Sequence, residues 1–293
     1  MSANCSSRKR HVDWDNSRVA HQHHGNRINA GLLLLIEYGI MRIIINADDF
    51  GLNAQVNDRV IELMSHSRIT SATLIANAPA VEDAVRRAPS GVNCSIGVHL
   101  NLTEFQPLTP PKEMETLGSC LGENGCFAGG KFLRTVKMTS QLKEEIFKEL
   151  CLQVERILSL GIKISHFDSH HHVHTIPALF PVVKRLQRHF GIRKVRTTMN
   201  MHPSSLKGSL SLMLKKRIWD LALRNCYHTS TTSGFTSFAM FYDLVKITPL
   251  NHDSIELMVH PGHMHFEEET QLLYTDWQKT VPFSTELISY HDL

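Results

Sequence analysis

The sequence predicts an α/β fold with parallel strands and helices packed outside them, either as a barrel or as an open sheet. Three observations carry that expectation. Strand-like and helix-like segments alternate from Met41 onward, the strand-like runs are short and apolar, and four of them end in Asp or His. In both architectures ligands collect at the carboxyl ends of the strands, so those polar endings mark the place to look for chemistry.

The elements follow in order. Arg42 to Ala47 reads as a short buried strand, and Asn53 is placed to cap a helix with Val56, Val60, Leu63 and Met64 at helical spacing. Thr70 to Ala76 is rich in β-branched residues and reads as the second strand. Pro79 starts a short helix through Val81, Ala84 and Val85 that stops before Pro89, and Ser95 to Leu100 is the third strand. Residues 102 to 140 break the rhythm with Pro107, Pro110, Pro111 and five glycines, which suggests a lid over the site or a surface excursion.

Gln141 to Leu160 resumes as an amphipathic helix carrying Leu142, Ile146, Leu150, Val154, Ile157 and Leu158, with Gly161 as its stop. Ile162 to Phe167 is the fourth strand, and Pro177 opens a helix with Leu179, Val182, Val183 and Leu186. Lys194 to Thr197 reads as a fifth strand, residues 205 to 226 as helix, Ser254 to Val259 as a late strand and Leu287 to Tyr290 as the last.

Composition bounds the rest. A chain of 293 residues with 42% apolar content suits one large domain with a full core. A net charge of +3, without a clustered basic face, gives no reason to expect nucleic acid. The apolar run Leu32 to Ile36 is far too short to span a bilayer. Six scattered cysteines, at 5, 94, 120, 126, 151 and 226, form no Cys-x-x-Cys pair, which favours reduced thiols in a cytoplasmic protein. The first forty residues are polar, with Arg8-Lys9-Arg10 and His21-Gln22-His23-His24, and are expected to be a disordered extension, or to lie upstream of a working start at Met41. Residues 41–293 then form the functional domain.

Asp48 and Asp49 stand at the end of the first strand, where two adjacent carboxylates are costly to bury unless a cation or a reaction uses them. Neighbouring strand residues point to opposite faces, so both can serve one site only if the chain is already turning there, and Phe50-Gly51 is a plausible turn. An aspartate here could also merely cap the next helix. Three further runs end in histidine: Cys94 to Asn101, Ile162 to His174 and Ile255 to His263. Mixed carboxylate and imidazole groups suit a catalytic divalent ion.

In the second run His166, Asp168, His170, His172 and His174 share one parity. Fully extended, His166 and His174 would lie roughly 26 Å apart, at about 3.3 Å per residue. At most two near neighbours can then reach one ion, and Asp168 is better read as orienting a ligand imidazole. Parity also groups Gly97, His99 and Asn101, with Gly97 leaving room and Asn101 offering an amide to a polar substrate.

Ala47-Asp48-Asp49-Phe50-Gly51, Gly97 to Thr103, His166 to His174 and Glu256 to Gly262 together resemble the YdjC-like carbohydrate deacetylases, which include bacterial chitooligosaccharide deacetylases. The resemblance runs from Met41 almost to the C-terminus. It implies a distorted (β/α) TIM-like barrel, often a homodimer, acting on a small carbohydrate with a divalent metal. Mg²⁺ is the family's ion, although two imidazoles would suit Zn²⁺, Co²⁺ or Mn²⁺ better. By motif match Asp48 would be the general base, Asp49, His99 and His170 the metal ligands, and His260 the acid beside the leaving amine. Arg196, at a strand end, is a candidate for a substrate phosphate. The rival readings are a hydrolase of another amide, ester or phosphoester, and an inactive sugar- or metal-binding module.

Deleting residues 1 to 40 is expected to leave folding and turnover intact, as read by thermal unfolding and acetate release; loss of either would contradict the extension reading.

Overall fold

The computed structural model describes residues 40–89, 92–198, 200–201, 210–247 and 250–293. The expected N-terminal extension, except for Ile40, and positions 205–209 of the expected helix over 205–226 lie outside them.

Strand β1, Met41–Phe50, is the centre of the molecule. Ile43, Ile44 and Ile45 are fully buried, as expected of a strand covered on both faces. Each such side chain contributes about 1.5–3 kcal/mol of burial. Every strand pairing is parallel: β1 with β2 (Ser71–Leu74) and β6 (Ser254–Val259), β2 with β3 (Ser95–Leu100), β3 with β4 (Phe167–Ser169), and β6 with β5 (Gly234–Ser237). The order is β4-β3-β2-β1-β6-β5, and β7 (Thr285–Leu287) pairs with the start of β1. Isolated parallel bridges Phe167–Val195, Lys194–Ser230 and Asn200–Phe235 carry the sheet from β4 round to β5. The result is a curled, distorted α/β barrel with its helices outside.

The helices obey local rules. Helix α1, Ala54–Ser65, is capped by the Asn53 side chain, which accepts from Val56 N at 2.9 Å. Helix α2 spans Val81–Arg87 and α3 is the short Gly130–Leu133. Helix α4, Ser140–Ser159, is capped by Thr139 and buries Leu142, Ile146, Leu150, Val154 and Ile157. It also buries a polar row. Glu145 accepts from the backbone of Thr116 and Leu117, Glu149 from Leu108 and Thr109, and Gln153 bonds both N and O of Asn101. The 102–140 excursion is thereby clamped to α4 rather than left as a loose surface loop. Its two ends meet the site: Thr103 Oγ1 bonds His171 Nδ1 at 2.9 Å, and Arg134 reaches His171 O.

Several element expectations shift: the first strand runs on to Phe50 rather than stopping at Ala47, and the second is trimmed to Ser71–Leu74. The fourth strand begins at Phe167, not Ile162, because the preceding segment contributes only isolated bonds to β3, such as Ser165 N to Ile96 O. The fifth, Lys194 to Thr197, is reduced to two bridged residues. The last strand stops at Leu287, and Tyr290 lies in a 3₁₀ turn. Helix α5, Phe180–Phe190, follows a 3₁₀ turn opened by Pro177. Helix α6, Leu210–Leu221, runs into a π turn, Ala222–Cys226. Strand β5 and helices α7, Phe238–Ile247, and α8, Glu267–Leu273, were not expected from periodicity. Among the described residues no helix is long and apolar enough to cross a membrane. Among the described residues Cys94, Cys120 and Cys151 are free thiols.

Gly97 in β3 makes room for a ring. A Cβ there would stand 2.5 Å from Cε1 of His166, which is fully buried and stacked on Tyr290 at 3.5 Å between centroids. Neither ring can retreat, so Gly97→Ala is expected to destabilise the fold by about 1–3 kcal/mol, measured by denaturant unfolding.

Candidate active site

The end of β1 solves the adjacent-aspartate problem with an irregularity inside the strand, which runs on to Phe50 rather than ending before Asp48. The β1–β2 register shifts between Ala47 and Phe50, and Asp49 sits in the left-handed region at φ 65°. Gly51 continues the turn at φ 92°, and its N–H donates to Asn57 Oδ1 at 2.9 Å. Both carboxylates therefore serve one buried centre.

Asp49 stands at that centre. Its Oδ1 lies 2.8 Å from His170 Nδ1 and 3.3 Å from His99 Nε2, and its Oδ2 lies 3.2 Å from His263 Nε2. Yet Asp49 Oδ1 has no hydrogen-bond partner with acceptable geometry, although it is buried. Imidazole nitrogens gathered on one buried carboxylate form a set that could hold one ion. Bonds of about 2.0–2.2 Å would separate neighbouring ligand atoms by about 3–3.5 Å; the His99 and His263 contacts fall in that range and the His170 contact, at 2.8 Å, just below it.

The second-nearest alternatives fit less well. Asp48, His99 and Asp168 also approach one another, as do Glu104, His170 and His171. Asp48 and Asp168 are both engaged by Arg196, however, and His171 is exposed and bonded to Thr103.

Each group is oriented from behind. His99 Nδ1 bonds Asp168 Oδ1 at 2.7 Å, so Nε2 faces Asp49. Asp168 Oδ2 accepts from Thr73 at 3.0 Å. Asp168, expected to orient an imidazole, thus bonds that of His99 on β3. Strand β4 ends at Ser169 and the chain turns, with His171 and His172 at φ 50° and 53°, so parity fails beyond that point. His174 turns back to bond Ser169 Oγ, His172 packs edge-on against Phe235, and neither joins the cluster.

Arg196 is fully buried among three carboxylates. Nη1 and Nη2 donate to Asp48 Oδ2 and Oδ1 at 2.8 and 2.6 Å, Nε donates to Glu256 Oε1 at 2.8 Å, and Nη2 lies 2.9 Å from Asp168 Oδ2. Its expected contact with a substrate phosphate is therefore replaced by an internal clamp, because every face of the guanidinium is taken. Asn101 is likewise closed to substrate. Its amide donates to Asn77 Oδ1 and Glu104 O and accepts from the N–H groups of Thr103 and Glu104, fixing the loop after β3.

The charges follow from these contacts. Burial alone would raise the Asp48 carboxyl, but the Arg196 guanidinium overrides it and holds Asp48 well below the usual carboxylate range. Burial opposes charge on His99 and His170; Asp168 and Asp48 raise the first to about 10, and Asp49 raises the second to about 9. Two imidazolium groups thus neutralise the acids when no cation does.

His260, at the end of β6, places its ring on Phe266 at 4.7 Å between centroids and leaves Nδ1 without a partner. Burial lowers its pKa, against the pull of Asp48 and Asp49. Four contributors escaped sequence reasoning: Glu104, 3.6 Å from His170 Nε2; His263; Glu256; and Glu269, which takes the backbone N–H groups of Ala239 and His260. Of these, Glu256 carried a readable signal, a lone acid inside an otherwise apolar strand.

Comparison with known proteins agrees in kind. Residues 42–287 match the family model described as YdjC-like protein. A carbohydrate deacetylase of Geobacillus stearothermophilus is 40% identical over 156 residues, which is 53% of this chain and 60% of that protein. A carbohydrate deacetylase of Clostridium beijerinckii is 32% identical over 237 residues, covering 76% of this chain and 82% of that one. Among solved structures, a protein from Enterococcus faecalis described as a cellobiose-phosphate cleavage protein superimposes with a TM-score of 0.67 at 22% identity, over 87% of this chain and 99% of that one. That likeness establishes the shared fold.

Asp168→Asn keeps the bond to Thr73 possible but weakens the hold on His99. It is expected to lower divalent-ion affinity by about 10- to 100-fold, measured by calorimetric titration with Zn²⁺ and Co²⁺; unchanged affinity would show that Asp168 does not orient a ligand.

Proposed function

Because the chain belongs to the YdjC-like family, we propose that it is a metal-dependent carbohydrate N-deacetylase, releasing acetate from N-acetylated sugars such as chitooligosaccharides. The observation that carries the reading is the convergence of Asp49, His99 and His170 on one point, with Asp48 beside them but bound elsewhere. One carboxylate and two imidazoles would hold a divalent cation with positions left open, and donor preference favours Zn²⁺, Co²⁺ or Mn²⁺ over Mg²⁺. Such an ion supplies Lewis-acid polarisation of a carbonyl and a water of lowered pKa.

The protein's own groups do the proton work. Asp48, ionised and fixed by Arg196, accepts a proton from the water that attacks the acetyl carbon. His260 gives a proton to the nitrogen as the C–N bond breaks, leaving acetate and a free amino sugar. The proton taken by Asp48 balances the one His260 gives. The committed guanidinium of Arg196 weighs against a phosphoester substrate, since its charge is already engaged by Asp48, Asp168 and Glu256. The spare acid Asp48 weighs against a mere binding module, which needs no base.

Acetate release from N,N'-diacetylchitobiose is the test, with and without chelator. Turnover is expected to vanish with chelator and return on adding a divalent ion. Asp48→Asn is expected to lower kcat by about 10²-fold or more while bound metal, read by elemental analysis, is kept. His99→Ala and His170→Ala are expected to lose the metal itself. Undiminished hydrolysis in Asp48→Asn would remove the base assignment.

A further inference from the structure

A second buried set leads away from the cation position, through the inside of the barrel, to the C-terminal segment. Arg196 Nε donates to Glu256 Oε1, and Glu256 Oε2 accepts from the Tyr290 hydroxyl at 2.5 Å. Glu256 and Tyr290 are both fully buried. Tyr290 is held independently on two sides. Its N–H donates to Ser95 Oγ at 3.1 Å, and its ring stacks on His166 with an interplanar angle of 7°. His166 in turn occupies the space that Gly97 leaves open.

We infer that Tyr290 and Glu256 are positioning residues for Asp48, acting through Arg196. The inference rests on the deacetylase reading and extends it to a part of the chain remote from the strand ends. A guanidinium is a rigid fork. Fixing Nε fixes the direction in which Nη1 and Nη2 point, and these two atoms hold both oxygens of Asp48. Glu256 can fix Nε only if its own carboxylate cannot turn, and the Tyr290 hydroxyl prevents that turn by occupying Oε2. Without the hydroxyl, Oε2 would lose its donor, while Nη2 of Arg196 already stands 2.8 Å from Oε1 of the same carboxylate. The carboxylate would then rotate onto the guanidinium and draw the fork away from Asp48. The segment after β7 thereby sets the aim of a group at the opposite ends of the strands. The path meets His99 through Asp168, whose Oδ2 faces Arg196 while its Oδ1 bonds the imidazole, so bound metal is measured alongside turnover.

The test compares wild type with Y290F, which keeps the ring and its stack but not the hydroxyl. Read on N,N'-diacetylchitobiose, kcat is expected to fall about tenfold, as expected for a sub-ångström misplacement of a reacting group, with KM and bound metal unchanged. The double variant Y290F/E256Q is expected to be no slower than E256Q alone, because both substitutions break one path. A wild-type kcat in Y290F, or losses that multiply in the double variant, would overturn the inference. Should Y290F prove unfolded by thermal melting, E256Q alone decides: a lower kcat at unchanged KM supports the path, and an unchanged kcat overturns it. A wild-type protein that binds metal but releases no acetate defeats the deacetylase reading, and this inference with it.

Discussion

The site depends on one buried guanidinium surrounded by three carboxylates. Arg196 neutralises at most one of Asp48, Asp168 and Glu256, and Asp49 adds a fourth acid nearby. Removing a single partner from such a set would leave an uncompensated buried charge, at a cost of about 3–5 kcal/mol. The excess of acid is therefore a constraint the fold must answer. It answers with protons on His99 and His170, or with a divalent cation at the point those rings share. The polar interior of the barrel is thus arranged around a charge deficit, and the apolar β-strands provide the rigid frame that keeps the acids from relaxing into solvent.

The same constraint explains the odd local geometry. Asp48 and Asp49 are neighbours with different tasks, and the left-handed turn at Asp49 is what separates them. Asp48 faces Arg196 and Asp49 faces the imidazoles. An uninterrupted strand would have sent one of them to the outer face, among the helices. Backbone strain at a non-glycine residue persists only where surroundings over-determine it, and here the Gly51–Asn57 bond and the contacts of Asp49 with the imidazoles do so from either side.

How much of this was legible in the sequence follows from range. Strands β3 and β6 coincide with their expected bounds, and Asn53 caps α1 as expected, because burial on both faces and capping are local properties. The grouping of Asp49, His99 and His170 followed from motifs whose positions at strand ends were themselves readable. Parity arguments failed where a strand stopped sooner than its apolar run: beyond Leu100 for Asn101, and beyond Ser169 for the later histidines. Arg196 was noticed but misassigned, since its partners come from β1, β4 and β6 and no linear pattern names them. Strand β5 was invisible because Gly234-Phe235-Thr236-Ser237 is short and half polar, and it becomes a strand only through its neighbour β6.

An acid held this tightly by arginine is a weak base, which bears on why the site would tolerate the clamp. A carboxylate is useful here only when ionised, and burial pushes the other way; Arg196 reverses that push. What is lost in basicity is offset if the water to be deprotonated is itself made more acidic, as a bound divalent ion does. Orientation is then the quantity worth protecting. Asp48 Oδ1 is shared between Arg196 and Asn46, whereas Oδ2 takes one bond from Arg196 and lies 3.9 Å from His99 Nε2, on the side of the ligand cluster. The clamp thus leaves Oδ2 with a single bond on the side of the imidazoles. A free aspartate would be the stronger base but would have no fixed direction, and at Asp48 the contacts favour direction.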